Sequence, residues 1–527
     1  MSGRRVAPAG FGRCLCFWGG AVGSGVLLAA AFPPFALPAA AWVALVPLWL
    51  VCARETPARI LWAGWISALV FFLISLSWLN RVTVPGTIIL SAVCALYTLP
   101  FTAVLALFYR VRPRPSAAAN LAVMALGAAA WAGAEYARGV MFTGFPWNAL
   151  GVSQYAQVPL IQIAAWGGVP ALSALAVWVN GGVAATVLHY ARNGARRTRP
   201  HVELAAGFLL MAAAFGFGWR GVMRASPSGD PVRVALVQPA IPQVREWTAP
   251  HVETIYRRLK SLSVAALRGA EPDLLIWPET ALPDFARRSP RSRSFISEIT
   301  TNGVPLLAGS MDLEWKGGRP VYYNSSILFD RTGAERAKYD KKHLVVFGEY
   351  VPLEKYLPFL RALSPNESDF SPGSKTVVFR GAGEVPPFSV LICFEDVFPD
   401  LSRAAVRAGA RWLVNQTNDG WFEGTAASRQ HLAHSVFRAV ETRVPLVRCS
   451  NTGVTGAIDR FGRIHALLRS PEGEEDRPGF LTTAVLPVTD PPSTLYLEHG
   501  PWFGKSCAAL AAVVLILLYI PYRRATA

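Results

Sequence analysis

Four long stretches of this chain carry no Asp, Glu, Lys or Arg: residues 14–53, 60–80, 82–109 and 139–191. A helix needs roughly 20 apolar residues to cross a bilayer, and each stretch supplies them. Membrane insertion is therefore the condition that any fold of this chain has to meet. Apolar segments fall at about residues 14–32, 37–52, 60–79, 87–109, 117–136, 164–189 and 203–219, with one more near 507–521. Across all 527 residues, 52% are hydrophobic and 16% charged, a balance foreign to soluble domains.

The basic residues fit the same frame. A net charge of +17 invites a nucleic-acid reading, but the arginines sit at the edges of apolar runs: Arg110, Arg112 and Arg114 after one, Arg192, Arg196, Arg197 and Arg199 after another, Arg523 and Arg524 near the chain's end. That is the positive-inside pattern of membrane proteins, and no nucleic-acid partner is expected. With Arg4, Arg5 and Arg13 in the cytoplasm, seven crossings place residues 220–500 outside and an eighth returns Tyr522–Arg524. The first segment has the look of a signal peptide, with Ala29-Ala30-Ala31 before Phe32. A second apolar segment comes immediately after it, which favours an uncleaved helix. The expected organisation is a seven-helix transmembrane region over residues 1–219, a soluble domain over 220–500 and a closing helix with a short cytoplasmic tail over 501–527.

Between about 230 and 490 the pattern changes to short β-rich runs (Arg233–Gln238, Asp273–Trp277, Pro305–Gly309, Tyr323–Phe329, Phe388–Ile392, Arg411–Asn415) alternating with amphipathic stretches such as Val252–Leu267 and Ala427–Val440. Sheets layered with helices are the expected result. Periodicity alone leaves open a doubly wound sheet or a four-layer sandwich. Of seven cysteines only Cys393 and Cys449 lie in this polar region, without a CxxC pair. No metal and no cofactor are expected, and a bridge between these two stays open.

Three motifs here carry chemistry. Phe388–Ile392 ends in Cys393-Phe394-Glu395-Asp396, so a thiol sits at a strand end, where its thiolate is a nucleophile if something helps it ionise. Leu274-Leu-Ile-Trp-Pro-Glu279 ends in a carboxylate that burial would tune toward general-base work. Asp340-Lys341-Lys342-His343-Leu344 precedes Phe347-Gly348-Glu349-Tyr350, and a fixed ammonium there would stabilise an oxyanion. Each alone has a bland explanation: a buried thiol filling space, a glutamate in a surface turn, a solvated charge run.

In this order within one domain, the three motifs resemble the nitrilase superfamily, which uses a Glu, Lys and Cys triad on an αββα sandwich. The resemblance puts the base on Glu279, the oxyanion lysine on Lys341 and the nucleophile on Cys393. Lys341 is preferred to Lys342 by its spacing to His343 and Glu349. Further matches narrow it: Phe32-Pro-Pro-Phe35, Leu45-Val-Pro-Leu-Trp49, Thr143-Gly-Phe-Pro-Trp-Asn148, Val237–Gln243 with Trp247, Asn418-Asp-Gly-Trp-Phe422 and Ser450-Asn-Thr-Gly453. With the flanking helices, these resemble the apolipoprotein N-acyltransferase family. The fold implied is a multi-pass helical bundle plus an extracytoplasmic αββα domain. The resemblance also implies a bacterial inner-membrane enzyme with its catalytic domain in the periplasm; a monomer is the expected form, with the oligomeric state left open by the sequence itself. Such an enzyme moves an acyl chain from a phospholipid, commonly phosphatidylethanolamine, to the N-terminal amine of a diacylglyceryl-cysteine lipoprotein through a cysteine thioester. Glu349 and Glu395 would line the site, Trp247, Trp421 and Phe422 would contact acyl chains or form a lid, and Phe394 would support the site beside the nucleophile. Two departures stand out: Phe394 replaces a common Tyr, and Val346 a common Pro.

Rival readings are a membrane-tethered amidase acting on a small amide, a papain-like pair of Cys393 with His343, and a transporter or receptor without catalysis. His431 and His434 lack the companions of a zinc motif and read as a satisfied helix surface. Gly500–Ser506 is one residue short of a phosphate loop.

Overall fold

Prolines decide where the apolar segments become helices. The computed structural model describes residues 9–193, 201–224, 229–242, 248–352, 354–358, 361, 369–490 and 493–526. The expected Trp247 contact therefore lies outside the described residues. The chain divides into two compact units, one of residues 1–224 with 498–527, the other of residues 225–497.

In the first unit α1 spans Ala9–Ala30. The second expected segment is not a continuous span: a 3-10 turn at Pro38–Trp42 and a short α2, Val46–Cys52, each carry a proline in the first two positions. Proline starts a helix well but cannot sit inside one. The main-chain groups exposed by this break find side chains. Asn180 accepts from the Leu45 N–H at 2.8 Å and donates to the Ala41 carbonyl at 2.9 Å, and Ser24 accepts from the Leu48 N–H at 2.9 Å. Irregular backbone at membrane depth requires such partners.

Next come α3 (Pro57–Ser75), α4 (Val84–Leu96), α5 (Leu99–Val111) and α6 (Ala117–Val140). The sixth expected segment starts late. Short α7 (Val158–Ile161) and α8 (Ala164–Gly167) precede Gly168 at φ +71, and only then does α9 run from Val169 to Asn193, before α10 (Val202–Met223). Among the described residues six helical stretches are long and apolar enough to cross a membrane: Pro57–Ser75, Val84–Val111, Ala117–Val140, Val169–Asn193, Val202–Met223 and Trp502–Tyr519. The chain is a membrane protein. Within α6, Glu135 accepts from the Leu150 N–H at 2.7 Å, and Arg138 donates to the carbonyls of Phe145 and Trp147 at 2.6 and 2.7 Å. The Thr143–Asn148 motif is thereby fastened to its helix.

The second unit is the expected αββα sandwich. Its first sheet joins β1 (Val232–Gln238), β2 (Leu274–Ile276), β3 (Leu306–Lys316), β4 (Arg319–Phe329), β5 (Glu335–Asp340) and the last strand of the unit, in the order last, β1, β2, β3, β4, β5. Its second sheet is built from β6 (Phe388–Ile392), β7 (Trp412–Thr417), β8 (Leu446–Ser450), β9 (Gly456–Ile458) and β10 (Ile464–Leu467), and runs β10-β9-β8-β7-β6. The last strand, β11 (Gly479–Val485), returns to pair antiparallel with β1, Val232 opposite Val485.

Strand alternation builds both cores. Val234, Leu236, Leu274 and Ile276 face Phe388, Val390, Ile392, Trp412 and Val414 between the sheets. Ala235, Val237, Leu275 and Trp277 point the other way, onto Ile255 and Leu259 of α11 (Ala249–Ala270) and Phe295 and Ile299 of α12 (Pro290–Thr300). The helices α13 (Pro399–Arg407) and α14 (Ala427–Thr442) pack on the second sheet. Gln416 ties the sheets together, its amide donating to the Trp277 carbonyl at 2.6 Å. A short α15 (Leu495–His499) precedes the closing α16 (Trp502–Thr526).

Candidate active site

Glu279, Lys341 and Cys393 stand just beyond the carboxyl ends of β2, β5 and β6, so three strand ends from two sheets bring them together. Glu279 lies in a tight turn with Thr280 at φ +42. This turn runs against Gly309 of β3, where a Cβ would meet the Pro278 carbonyl at 2.1 Å, so no other residue fits there.

The buried Lys341 ammonium is 2.9 Å from Glu349 Oε1 and 3.5 Å from Glu279 Oε1. Asn324 Nδ2 donates to the same two carboxylate oxygens, at 3.0 and 2.8 Å respectively. Glu349 Oε2 accepts from the Val345 N–H at 2.8 Å, which closes the lysine loop on itself. The Cys393 thiol is near enough to Glu279 and Thr417 for Glu279 to raise its pKa and Thr417 to lower it. Cys393 has φ +54, a left-handed backbone rare for a residue with a side chain.

The charges set one another. Burial pushes the Glu279 carboxyl above its ordinary value; Lys341 pulls it down and Glu349 pushes it up. Burial works against charge on Lys341, but Glu349 and Glu279 overcome it and keep the ammonium protonated. Burial, then the Glu279 charge, raise the Cys393 thiol although Lys341 opposes them. A neutral thiol thus lies beside a carboxylate of raised basicity and a buried positive charge, an arrangement suited to base-assisted attack on a carbonyl.

Other expected positions resolve differently. Glu395 is fully buried and accepts from the N–H groups of Ile392, Lys342 and His343 and from the Tyr339 hydroxyl. Phe394 is half-buried, 5.1 Å from Phe398 and 6.3 Å from the His343 ring. Trp421, in the 3-10 turn Asp419–Phe422, is 40% exposed and Phe422 half-buried. His431 and His434 are buried, not on a helix surface, because α14 is enclosed around most of its circumference. Cys393 and Cys449 are both free thiols, the latter buried against the carbonyls of Val237 and Ile276.

Sequence reasoning passes over Asn324, Thr417, Asp419 and Arg448. Asn418-Asp-Gly-Trp-Phe422 is the one signal near them, a motif to which the sequence alone attaches no role for its aspartate.

Residues 24–182 match the family model described as the apolipoprotein N-acyltransferase N-terminal domain, and residues 233–485 match that of carbon-nitrogen hydrolases. An apolipoprotein N-acyltransferase of Geobacter metallireducens is 37% identical over 527 aligned residues, covering 95% of this chain and 94% of that protein. One of Brucella melitensis is 34% identical, covering 98% and 96%. Among solved structures, a nitrilase-superfamily amidase of Nesterenkonia is similar over 52% of this chain and 95% of its own, at 20% identity and a TM-score of 0.37. A nitrilase-superfamily protein of Saccharomyces cerevisiae covers 50% and 93%, at 20% identity and a TM-score of 0.38. With relatives this similar along nearly its whole length, the chain belongs to the apolipoprotein N-acyltransferase family.

Proposed function

We propose that this protein transfers a fatty acyl chain from a glycerophospholipid, phosphatidylethanolamine in the first instance, to the free amine of a diacylglyceryl-cysteine lipoprotein. One observation carries the reading: a thiol, a carboxylate of raised pKa and a buried ammonium converge in a chain anchored by membrane helices. Both substrates are lipids that stay in the bilayer, so an anchored nucleophile meets them without extracting either.

Glu279 takes the Cys393 proton as the sulfur attacks the ester carbonyl, and the oxyanion develops toward Lys341. Collapse breaks the ester bond. The departing glycerol oxygen recovers the proton from Glu279, leaving a thioester and a lysophospholipid. The acceptor amine then attacks the thioester, Glu279 takes its proton, and the Cys393 sulfur leaves and is reprotonated.

Orientation is argued from charge. Arg110 and Arg112 at the end of α5 and Arg192 at the end of α9 support a reading with both ends in the cytoplasm and, one crossing later, the α/β unit in the periplasm of an inner-membrane protein. A single chain contains the whole triad, and we assign it a monomeric working form.

The test is intact-mass analysis of the detergent-solubilised protein after incubation with phosphatidylethanolamine, wild type beside Cys393→Ala. A hydroxylamine-labile acyl increment on wild type alone supports the reading. An increment on both proteins removes Cys393 as nucleophile. No increment on either, with hydrolysis of a small amide instead, favours the tethered amidase.

A further inference from the structure

The carbonyl of Cys393 is gripped by two side chains: Asn415 Nδ2 at 3.0 Å and His431 Nε2 at 3.2 Å. His431 projects from α14, and charged groups from three other elements face it. Its Nε2 is 2.7 Å from Asp396 Oδ1, in the turn after β6. Its Nδ1 is 3.1 Å from Asp419 Oδ1, in the turn after β7, and 2.8 Å from Arg448 Nη2, on β8. Arg448 is fully buried and bonds Asn415 Oδ1 at 2.7 Å and Asp419 Oδ2 at 2.8 Å. Ser435 donates to Asp396 Oδ2 from the same helix as the histidine.

A guanidinium N–H so close to Nδ1 calls for a lone pair there, which leaves the ring proton on Nε2, facing Asp396 and the Cys393 carbonyl. Burial and Arg448 resist a second proton while Asp396 and Asp419 favour it, with a net upward shift of the histidine. Nε2 carries hydrogen in both states. Thr417, at the end of β7, donates to Asp419 at 3.4 Å.

A left-handed non-glycine residue persists only where its surroundings over-determine it. We infer that His431 is a positioning residue for the acyl transfer, its Nε2–H holding the Cys393 carbonyl so that the strained turn keeps the thiol against Glu279. This rests on Cys393 being the nucleophile proposed above. The chemistry asked of position 431 is a single N–H donor at the reach of Nε2. Glutamine supplies one there, whereas the amide of asparagine extends only as far as Nδ1.

The experiment compares full-length wild type, His431→Gln, His431→Asn and His431→Ala in detergent. Three quantities are read: the alkylation rate of Cys393 by iodoacetamide, located by peptide mass, the rate of acyl-enzyme formation, and the thermal midpoint. We expect His431→Gln to stay within about tenfold of wild type in alkylation and acylation. His431→Asn and His431→Ala should fall about 100-fold in acylation with the KM for phospholipid unchanged, the scale of a misplaced reacting group. His431→Asn and His431→Gln should lower the thermal midpoint equally. Equal rates for the two amides, or a rate loss that simply tracks the thermal midpoint, would overturn the inference. If wild type takes up no acyl chain but alkylation keeps the Gln-over-Asn order, the positioning role stands and the proposed reaction falls.

Discussion

The Glu395 carboxylate accepts the Lys342 N–H at 2.7 Å and so joins the residue after the site's ammonium to the turn that carries its thiol. Its other bonds, to His343, Ile392 and Tyr339, make it a buckle between the ends of β5 and β6, strands of different sheets. An ionised carboxylate only accepts, which suits four donors. Glu395→Gln turns an NH2 toward at least one of them and loses charge-assisted bonds worth about 1.5–3 kcal/mol each. The expected result is a lower thermal midpoint and acylation slowed about 100-fold. An unchanged midpoint with normal acylation would contradict the buckle.

Removing the ammonium should separate stability from chemistry. Lys341→Met leaves Glu279 and Glu349 facing one another across Asn324, and stranding buried charges in this way costs about 3–5 kcal/mol. Adding Glu349→Gln removes one of the two charges. The double variant is expected to recover much of the denaturation midpoint while acylation stays depressed by about 100-fold or more, as for a lost oxyanion donor. Recovery of acylation along with stability would take the oxyanion role from Lys341.

The pH profile reports the base. Burial first, and then Glu349, hold the Glu279 carboxyl above 4.5, and only the carboxylate accepts the thiol proton. The acid limb of kcat/KM is therefore expected above that value. Glu349→Gln deletes a neighbouring negative charge and should move the limb to lower pH. A limb at or below 4.5, or one indifferent to Glu349→Gln, would count against Glu279.

His343 offers a stability test. Burial, and then the Lys341 charge, lower its pKa from 6.5 to about 4, with the ring centroid 3.6 Å from that of Phe398. Between those values the unfolded chain binds more protons than the folded one, so this part of the stability is complete above 6.5 and drains away as pH falls toward 4. Chemical denaturation of wild type and His343→Gln across that range should show the steeper acid loss in wild type. Parallel curves would exclude the titration.

Features that a short run of residues determines are legible in the sequence. Phe388–Ile392 is apolar throughout and stops at a polar tetrad, so β6 and the strand-end thiol can be placed, as can β2 and Glu279. Misplaced features depend on distant partners. Residues 37–52 are apolar enough to span, but Pro38 and Pro47 break them, and Asn180 makes the break tolerable. For Glu395, nothing nearby in sequence shows that Lys342 and His343, some fifty residues earlier, join Ile392 as donors. His431 reads as superficial for the same reason: Asp396, Asp419 and Arg448 reach it from three different elements. The strand β11 has no local mark of its pairing with β1.

That pairing also fixes where the sandwich meets the rest of the chain. Because Val232 lies opposite Val485, the chain enters and leaves the sandwich on adjacent strands of one sheet. A module whose two ends emerge side by side can be spliced into a loop between two helices, or lifted out of it, while the surrounding gene is still read as one continuous bundle. The arrangement describes a portable cassette, and its two junctions are where chimeras with other sandwich domains should be cut.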